Sequence, residues 1–256
     1  MSAKTSERGA ETPLIILPGL ICDSRMFGDT LAAFSGSRVI DGFYGGADRI
    51  GAMADHALAH MPARCALLGH SMGARVALEV MRKAPERVER LALVDTGVHP
   101  VKPGEQEGRY RLRDLGRAQG MAALVAQWLP PMMGADALRD EGLMDRLYAM
   151  AVGAGLPIFE AQIEALLHRP ALDTLLPTIA CPTVAIVGQE DRWSPVAQHQ
   201  AIVAAIPGAR LRVVPGAGHM MPAETPRAFN RHVREWLDRP SPDNGVNFAN
   251  QVEGEV

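Results

Sequence analysis

Short apolar runs punctuate the chain at residues 14–17, 38–40, 65–68, 91–95, 183–187 and 210–214. Most are continuous in Ile, Leu, Val and Ala rather than alternating with polar residues. Continuous runs of this length fit strands covered on both faces, as in a parallel sheet. Gly, Pro, Asp or His ends each run, and segments of helical spacing lie between them. Over 72–83, for example, Val76, Ala77 and Val80 fall on one face. Ser194-Pro195 and Thr225-Pro226 have the form of a capping residue followed by proline at the first helical position. The alternation predicts an α/β fold, a doubly wound and mostly parallel sheet of about six strands.

The rhythm stops between Asp95 and Thr183, where no strand pattern occurs. Helices are expected instead over 108–128, 136–152 and 157–167, with Pro130-Pro131 separating the first two and Pro157 opening the third. A helical segment inserted after the fourth strand would form a cap over the sheet's carboxyl edge. The domain organisation expected is therefore a core of residues 13–98 and 176–238, a helical cap of 99–175, and frayed polar ends at 1–12 and 239–256.

Directly after the third run stands Gly69-His70-Ser71-Met72-Gly73, a G-x-S-x-G pattern between a strand and a helix. A serine on such a turn needs small neighbours, and the turn lifts its hydroxyl above the sheet beside the positive end of the new helix. Serine requires a base, and the base an orienting acid. The fifth run leads into Gly188-Gln189-Glu190-Asp191, and the sixth into Pro215-Gly216-Ala217-Gly218-His219. Ser71, Asp191 and His219 thus fall on loops at one edge of the predicted sheet. Asp95, ending the fourth run, is a competing acid on the same edge; otherwise it would cap the Thr96-Gly97 turn.

These motifs resemble the α/β-hydrolase superfamily, in the helical-cap group of serine esterases, enol-lactonases and cofactor-free haloperoxidases, over residues 13–238. The resemblance implies Ser71 as nucleophile, His219 as base and Asp191 as acid, with the backbone N–H groups of Leu20 and Met72 as oxyanion hole. It implies no cofactor. Two departures stand out: Pro18-Gly19 replaces the family's His-Gly, and Asp41-Gly42-Phe43-Tyr44-Gly45-Gly46 replaces its usual second loop. The reaction expected is cleavage of a carboxylic ester, lactone or thioester of a small to medium apolar acyl group. The same residues could serve C–C bond hydrolysis, pyruvate elimination or perhydrolysis, or survive in a receptor with little turnover.

Other chemistry is less well supported by the residues. Gly216-Ala217-Gly218 continues to Met221 where a dinucleotide fingerprint needs glycine, and His56 and His60 lack the glutamate of a zinc protease motif. Among the 13 methionines, Met132 and Met220, with Trp128, are candidates for lining an adaptable apolar substrate pocket. Arg109, Arg113 and Arg117 recur every fourth residue, a solvated face paired with Glu105, Glu107 and Asp114 or a docking strip for a carboxylate-bearing substrate or an acidic acyl-carrier partner.

Composition bounds the rest. Across 256 residues, 47% are apolar and 21% charged, the proportions of a globular chain with a sizeable core. The net charge of −3 gives no overall attraction to nucleic acid or an anionic membrane. Three scattered cysteines, Cys22, Cys65 and Cys181, provide neither a disulfide framework nor a CxxC site. With no apolar window long enough to span a bilayer and a polar start, a cytoplasmic protein is expected.

Overall fold

In the computed structural model, which describes residues 12–239, the strands are β1 (Leu14–Leu17), β2 (Arg38–Val39), β3 (Cys65–His70), β4 (Val88–Val94), β5 (Thr183–Gly188) and β6 (Arg210–Val214). They pair in parallel as one six-stranded sheet in the order β2-β1-β3-β4-β5-β6. From β1 the chain first builds outward to β2 and then crosses to β3 on the other side. The loops leaving β1 and β3 therefore separate around a crevice at the carboxyl ends, where such sheets bind their ligands.

The continuity of the apolar runs has a direct cause. Successive residues point to opposite faces, and both faces are buried. Leu14, Ile16, Ala66, Leu68, Ala92 and Val94 contribute to one core. Ile15, Leu17, Leu67, Leu91, Leu93 and Ala185 contribute to the other. Edge strand β6 lacks a neighbour on its far side and leaves Arg210 and Val213 exposed.

Helices α1 (Gly28–Ala33), α2 (Ile50–His60) and α3 (Met72–Lys83) follow the first three strands. Between β4 and β5 come α4 (Glu105–Gln119), α5 (Met121–Trp128), α6 (Glu141–Ala154) and α7 (Leu156–Leu167). The helix expected over 108–128 is thus two helices. Gly120, at φ 87°, takes a backbone conformation that interrupts the first and starts the second. The next helix starts at Glu141 rather than 136, because the Asp140 side chain accepts the Leu143 N–H at 2.9 Å and fixes the start there. Gly155, at φ 81°, separates α6 from α7, which meet at a bend of 86°. Among the described residues no single helix is long and apolar enough to cross a membrane.

The chain ends its described part with α8 (Val196–Ala205), α9 (Met221–Glu224) and α10 (Pro226–Leu237). Pro195 precedes α8 in an extended conformation instead of opening it. Thr225 does precede Pro226 at the start of α10, yet it does not cap that helix: its hydroxyl donates back to the Met221 carbonyl at 3.4 Å. The frayed ends expected at 1–12 and 239–256 lie outside the described residues, apart from Thr12 and Arg239.

Candidate active site

Ser71 sits between the end of β3 and the start of α3, at φ 54° and ψ −116°. A non-glycine residue in this region stores about 1–3 kcal/mol of strain and persists only where its surroundings hold it. Three bonds do so: Ser71 N–H donates to the Val94 carbonyl at 2.8 Å, and its own carbonyl accepts from Ala74 N–H at 3.1 Å and Thr96 Oγ1 at 2.9 Å. The flanking glycines are required by contact. A Cβ on Gly69 would strike the backbone of Gly73 and Ala74, and one on Gly73 would strike the Leu17 carbonyl.

His219 Nε2 lies 2.8 Å from Ser71 Oγ, and His219 Nδ1 lies 2.8 Å from Asp191 Oδ2. Since a carboxylate accepts, Nδ1 carries the proton and Nε2 is free to accept from the serine hydroxyl. The other oxygen of Asp191 accepts the backbone N–H groups of Trp193 and Ser194, each at 2.8 Å. Burial would raise the Asp191 carboxyl, but the His219 charge and hydrogen bond, with those two N–H groups, outweigh it and hold the pKa below the ordinary value.

Asp95 is fully buried and does not reach His219. Its Oδ1 accepts the Gly188 N–H at 2.9 Å, fastening the end of β4 to the end of β5 rather than capping the Thr96-Gly97 turn. That turn is instead held by His199, whose Nε2 accepts the Thr96 N–H at 2.9 Å. Burial first, then the nearby Asp191 charge, push the Asp95 carboxyl well above the ordinary range, which favours its protonated form. His70 is neutral: burial and the proximity of His219 push it down to about 3, and its Nε2–H donates to the His219 carbonyl at 2.8 Å. The Cys22 thiol is raised by burial and by Asp23, which makes it a poor nucleophile.

The loop after β1 approaches the serine closely; a Cβ on Gly19 would lie 3.1 Å from Ser71 Cβ. Contacts from distant elements fix this loop. Buried Tyr44 donates its hydroxyl to the Pro18 carbonyl at 2.7 Å. Buried Gln162, on α7, accepts the Ile21 N–H at 2.7 Å, where Ile21 is held at φ 49°. Leu20 N–H meets no acceptor among the described residues. Met72 N–H, the first of α3, has no intrahelical acceptor.

Glu224 organises the loop bearing His219. Its Oε1 accepts the Met220 N–H at 2.8 Å, while Oε2 accepts the N–H groups of Gly218 at 2.9 Å and Gly134 at 2.8 Å. His219 N–H in turn donates to the Met132 carbonyl at 2.7 Å. The inserted helical segment is thereby tied to the loop of His219. Neither Glu224, Gln162 nor Tyr44 lies in a recognisable motif.

Leu20, Trp128, Met132 and Met220 line the narrow space around Ser71 and His219. It is continuous in its lining with an apolar recess of about 180 Å³ walled by Leu112, Phe159 and Ile163. A larger cavity of about 360 Å³ is also lined by Ser71, together with Arg75, Lys102, Arg109, Arg169 and Arg192, and it shares Glu105, Arg109 and Trp193 with the apolar recess. Trp128, Met132 and Met220 thus line the narrow space, whereas five cationic side chains line the wide one. Arg109, Arg113 and Arg117 do not form one exposed strip. Arg109 is buried and bonded to Glu105 at 2.9 Å, Arg113 stacks 3.9 Å over Tyr110 and bonds Asp114, and Arg117 bonds Glu160 at 2.6 Å. Among the described residues the expected partner Glu107 forms no ion pair with these arginines. Among the described residues, no cluster of His, Cys, Asp and Glu could hold a metal ion.

A model described as the alpha/beta hydrolase family matches residues 14–232. A 2-hydroxy-6-oxononadienedioate/2-hydroxy-6-oxononatrienedioate hydrolase from Cupriavidus pinatubonensis is 29% identical over 181 residues, covering 68% of this chain and 62% of that protein. The match likewise spans 65% of the length of a relative from Bacillus subtilis and 66% of one from Klebsiella pneumoniae. Among solved structures, a thermophilic esterase from Thermogutta terrifontis superposes with a TM-score of 0.77 at 28% identity, over 90% of each chain. The enol-lactonase of Burkholderia xenovorans LB400 superposes with a TM-score of 0.78 at 26% identity, over 91% of this chain and 94% of that one.

Proposed function

The chain belongs to the alpha/beta hydrolase family, and we propose that within it the protein is a serine hydrolase of carboxylic esters, lactones or thioesters. The observation that carries this reading is the unbroken bond series from Ser71 Oγ through His219 to Asp191, on a serine held at positive φ. Ser71 Oγ attacks the acyl carbon as its proton passes to His219 Nε2. Asp191 keeps Nδ1 protonated and stabilises the imidazolium that forms. The Leu20 and Met72 N–H groups receive the negative charge that develops on the carbonyl oxygen, and loss of one such donor typically slows the reaction by about 10²–10³. Collapse of the tetrahedral intermediate expels the alcohol or thiol, protonated by His219. Water, deprotonated by the same imidazole, then releases the acid and restores Ser71.

In this reading the helices from α4 to α7 act as the cap. The bonds from Gln162 to Ile21, and from Met132 and Gly134 to the loop of His219, support a cap that also steadies the reacting groups. Hydrolysis of short- and medium-chain p-nitrophenyl esters, with product release following an initial burst, tests the proposal. Ester turnover that persists in Ser71→Ala would overturn it.

A further inference from the structure

Five cationic side chains face the wide cavity beside Ser71, against one carboxylate, Glu105. That carboxylate is already engaged. Arg169 grips it with both Nη atoms, at 2.6 and 2.7 Å, and Arg109 adds bonds at 2.9 and 3.1 Å. Although burial acts to raise Glu105, these bonds hold it down at about 2. Arg109 and Arg169 thus share one carboxylate, which offsets only one of their two charges. Lys102 and Arg192 form no ion pair among the described residues.

Arg75 is the decisive case. It lies on α3, one helical turn beyond Ser71, and only 6% of it is exposed. Its Nη2 donates to the His99 carbonyl at 2.7 Å, and the rest of the guanidinium meets no acceptor among the described residues. Burial first, then repulsion from Arg169, push its pKa down to about 9. Glu105 attracts it from a distance, but no carboxylate contacts the Arg75 guanidinium among the described residues, and a buried guanidinium is costly unless something anionic completes it. Arg75 lines the same cavity as Ser71.

We propose that this cavity is a carboxylate-binding subsite, in which Arg75, assisted by Lys102 and Arg192, holds a carboxylate carried by the substrate itself. The planar guanidinium presents paired N–H groups that match the two oxygens of a carboxylate. Ser71 lines both the cationic cavity and the narrow space leading to the apolar recess of Leu112, Phe159 and Ile163. A substrate with its scissile carbonyl at Ser71 could therefore place a carboxylate in the cationic cavity and an apolar group in the adjoining recess. Trp193 borders all three spaces. The substrate class is an ester, lactone or thioester with an anionic end and an apolar end. The inference rests on the serine-hydrolase reading for the bond cleaved, though not for the binding of the anion.

Equilibrium binding to the full chain carrying Ser71→Ala separates the two. The probes are monophenyl glutarate and its uncharged counterpart phenyl pentanoate. The anionic ester is expected to bind at least about 10-fold more tightly, since only its carboxylate can form charge-assisted hydrogen bonds with Arg75. Adding Arg75→Met should erase most of that advantage, with Arg75→Lys recovering part of it. The exposed substitutions Lys102→Met and Arg192→Met provide a test that does not disturb a buried side chain, and each should reduce the advantage about 2- to 5-fold at low salt. Equal affinity for the two probes in the Ser71→Ala protein would overturn the subsite, whatever Ser71 does chemically. A preference untouched by all these substitutions would overturn it equally.

Discussion

The Glu224 carboxylate reaches Gly134 across 90 residues of sequence, accepting its N–H at 2.8 Å. The same carboxylate accepts the N–H groups of Gly218 and Met220, on either side of His219. One side chain therefore fixes the loop of His219 and ties it to the inserted helices. Glu224→Gln keeps the shape but replaces one accepting oxygen with a donor that faces N–H groups. We expect a fall in kcat of about 10-fold with a smaller change in KM, and a loss of roughly 1–3 kcal/mol in stability. Steady-state kinetics and denaturant unfolding check both; an unaltered kcat would deny Glu224 its positioning role.

The two buried aspartates should separate cleanly. Asp191→Asn removes the acceptor that holds the His219 tautomer and is expected to lower kcat by about 10⁴. Asp95→Asn, replacing a buried carboxyl that makes no hydrogen bond to His219, should retain activity within about 10-fold. Ester hydrolysis by the two variants decides the assignment. The reverse ranking would transfer the acid's role to Asp95.

Asp95 also predicts a pH dependence. Its folded pKa is raised, so the folded state retains a proton that the unfolded chain gives up once pH exceeds about 4. Stability from this group is complete below that pH and is lost as pH rises toward the folded pKa. Each pH unit in the window removes about 1.4 kcal/mol. The stability of Asp95→Asn relative to the parent should therefore increase with pH from about 4 upward. Unfolding titrations at several pH values test this, and a pH-independent difference would show that Asp95 is ionised in the fold.

Tyr44→Phe removes only the hydroxyl that holds the Pro18 carbonyl, two residues before Leu20. The loss should destabilise the protein by about 1–3 kcal/mol, because the carbonyl is left buried without that partner. If the loop supplies an oxyanion donor, kcat should fall several-fold while KM is nearly unchanged. A change confined to stability would separate Tyr44 from the reaction.

Local features were legible in the sequence because their physics is local. Continuous apolar runs revealed β1, β3, β4 and β5, since a strand buried on both faces has no polar alternation. Ser71, Asp191 and His219 could be found because each follows a strand at a recognisable turn, and the geometry brings the three together. Long-range partners left no such trace. Glu224, Gln162 and Tyr44 act on backbone atoms of loops remote from them in sequence. Arg75 read as part of a helix, and its significance emerges only when Lys102, Arg169 and Arg192 converge on the same cavity. The pairing of Arg109 with Glu105 and of Arg113 with Asp114 was legible in the sequence, whereas the Arg117 contact with Glu160, 43 residues away, was not.

The central claim is that Ser71 is a nucleophile activated by His219, and covalent labelling with a fluorophosphonate probe followed by peptide mapping tests it most directly. The account predicts stoichiometric modification of Ser71, slowed by about 10³ or more in His219→Ala and absent in Ser71→Ala. A folded protein that resists the probe, or that is labelled at another residue, would contradict it.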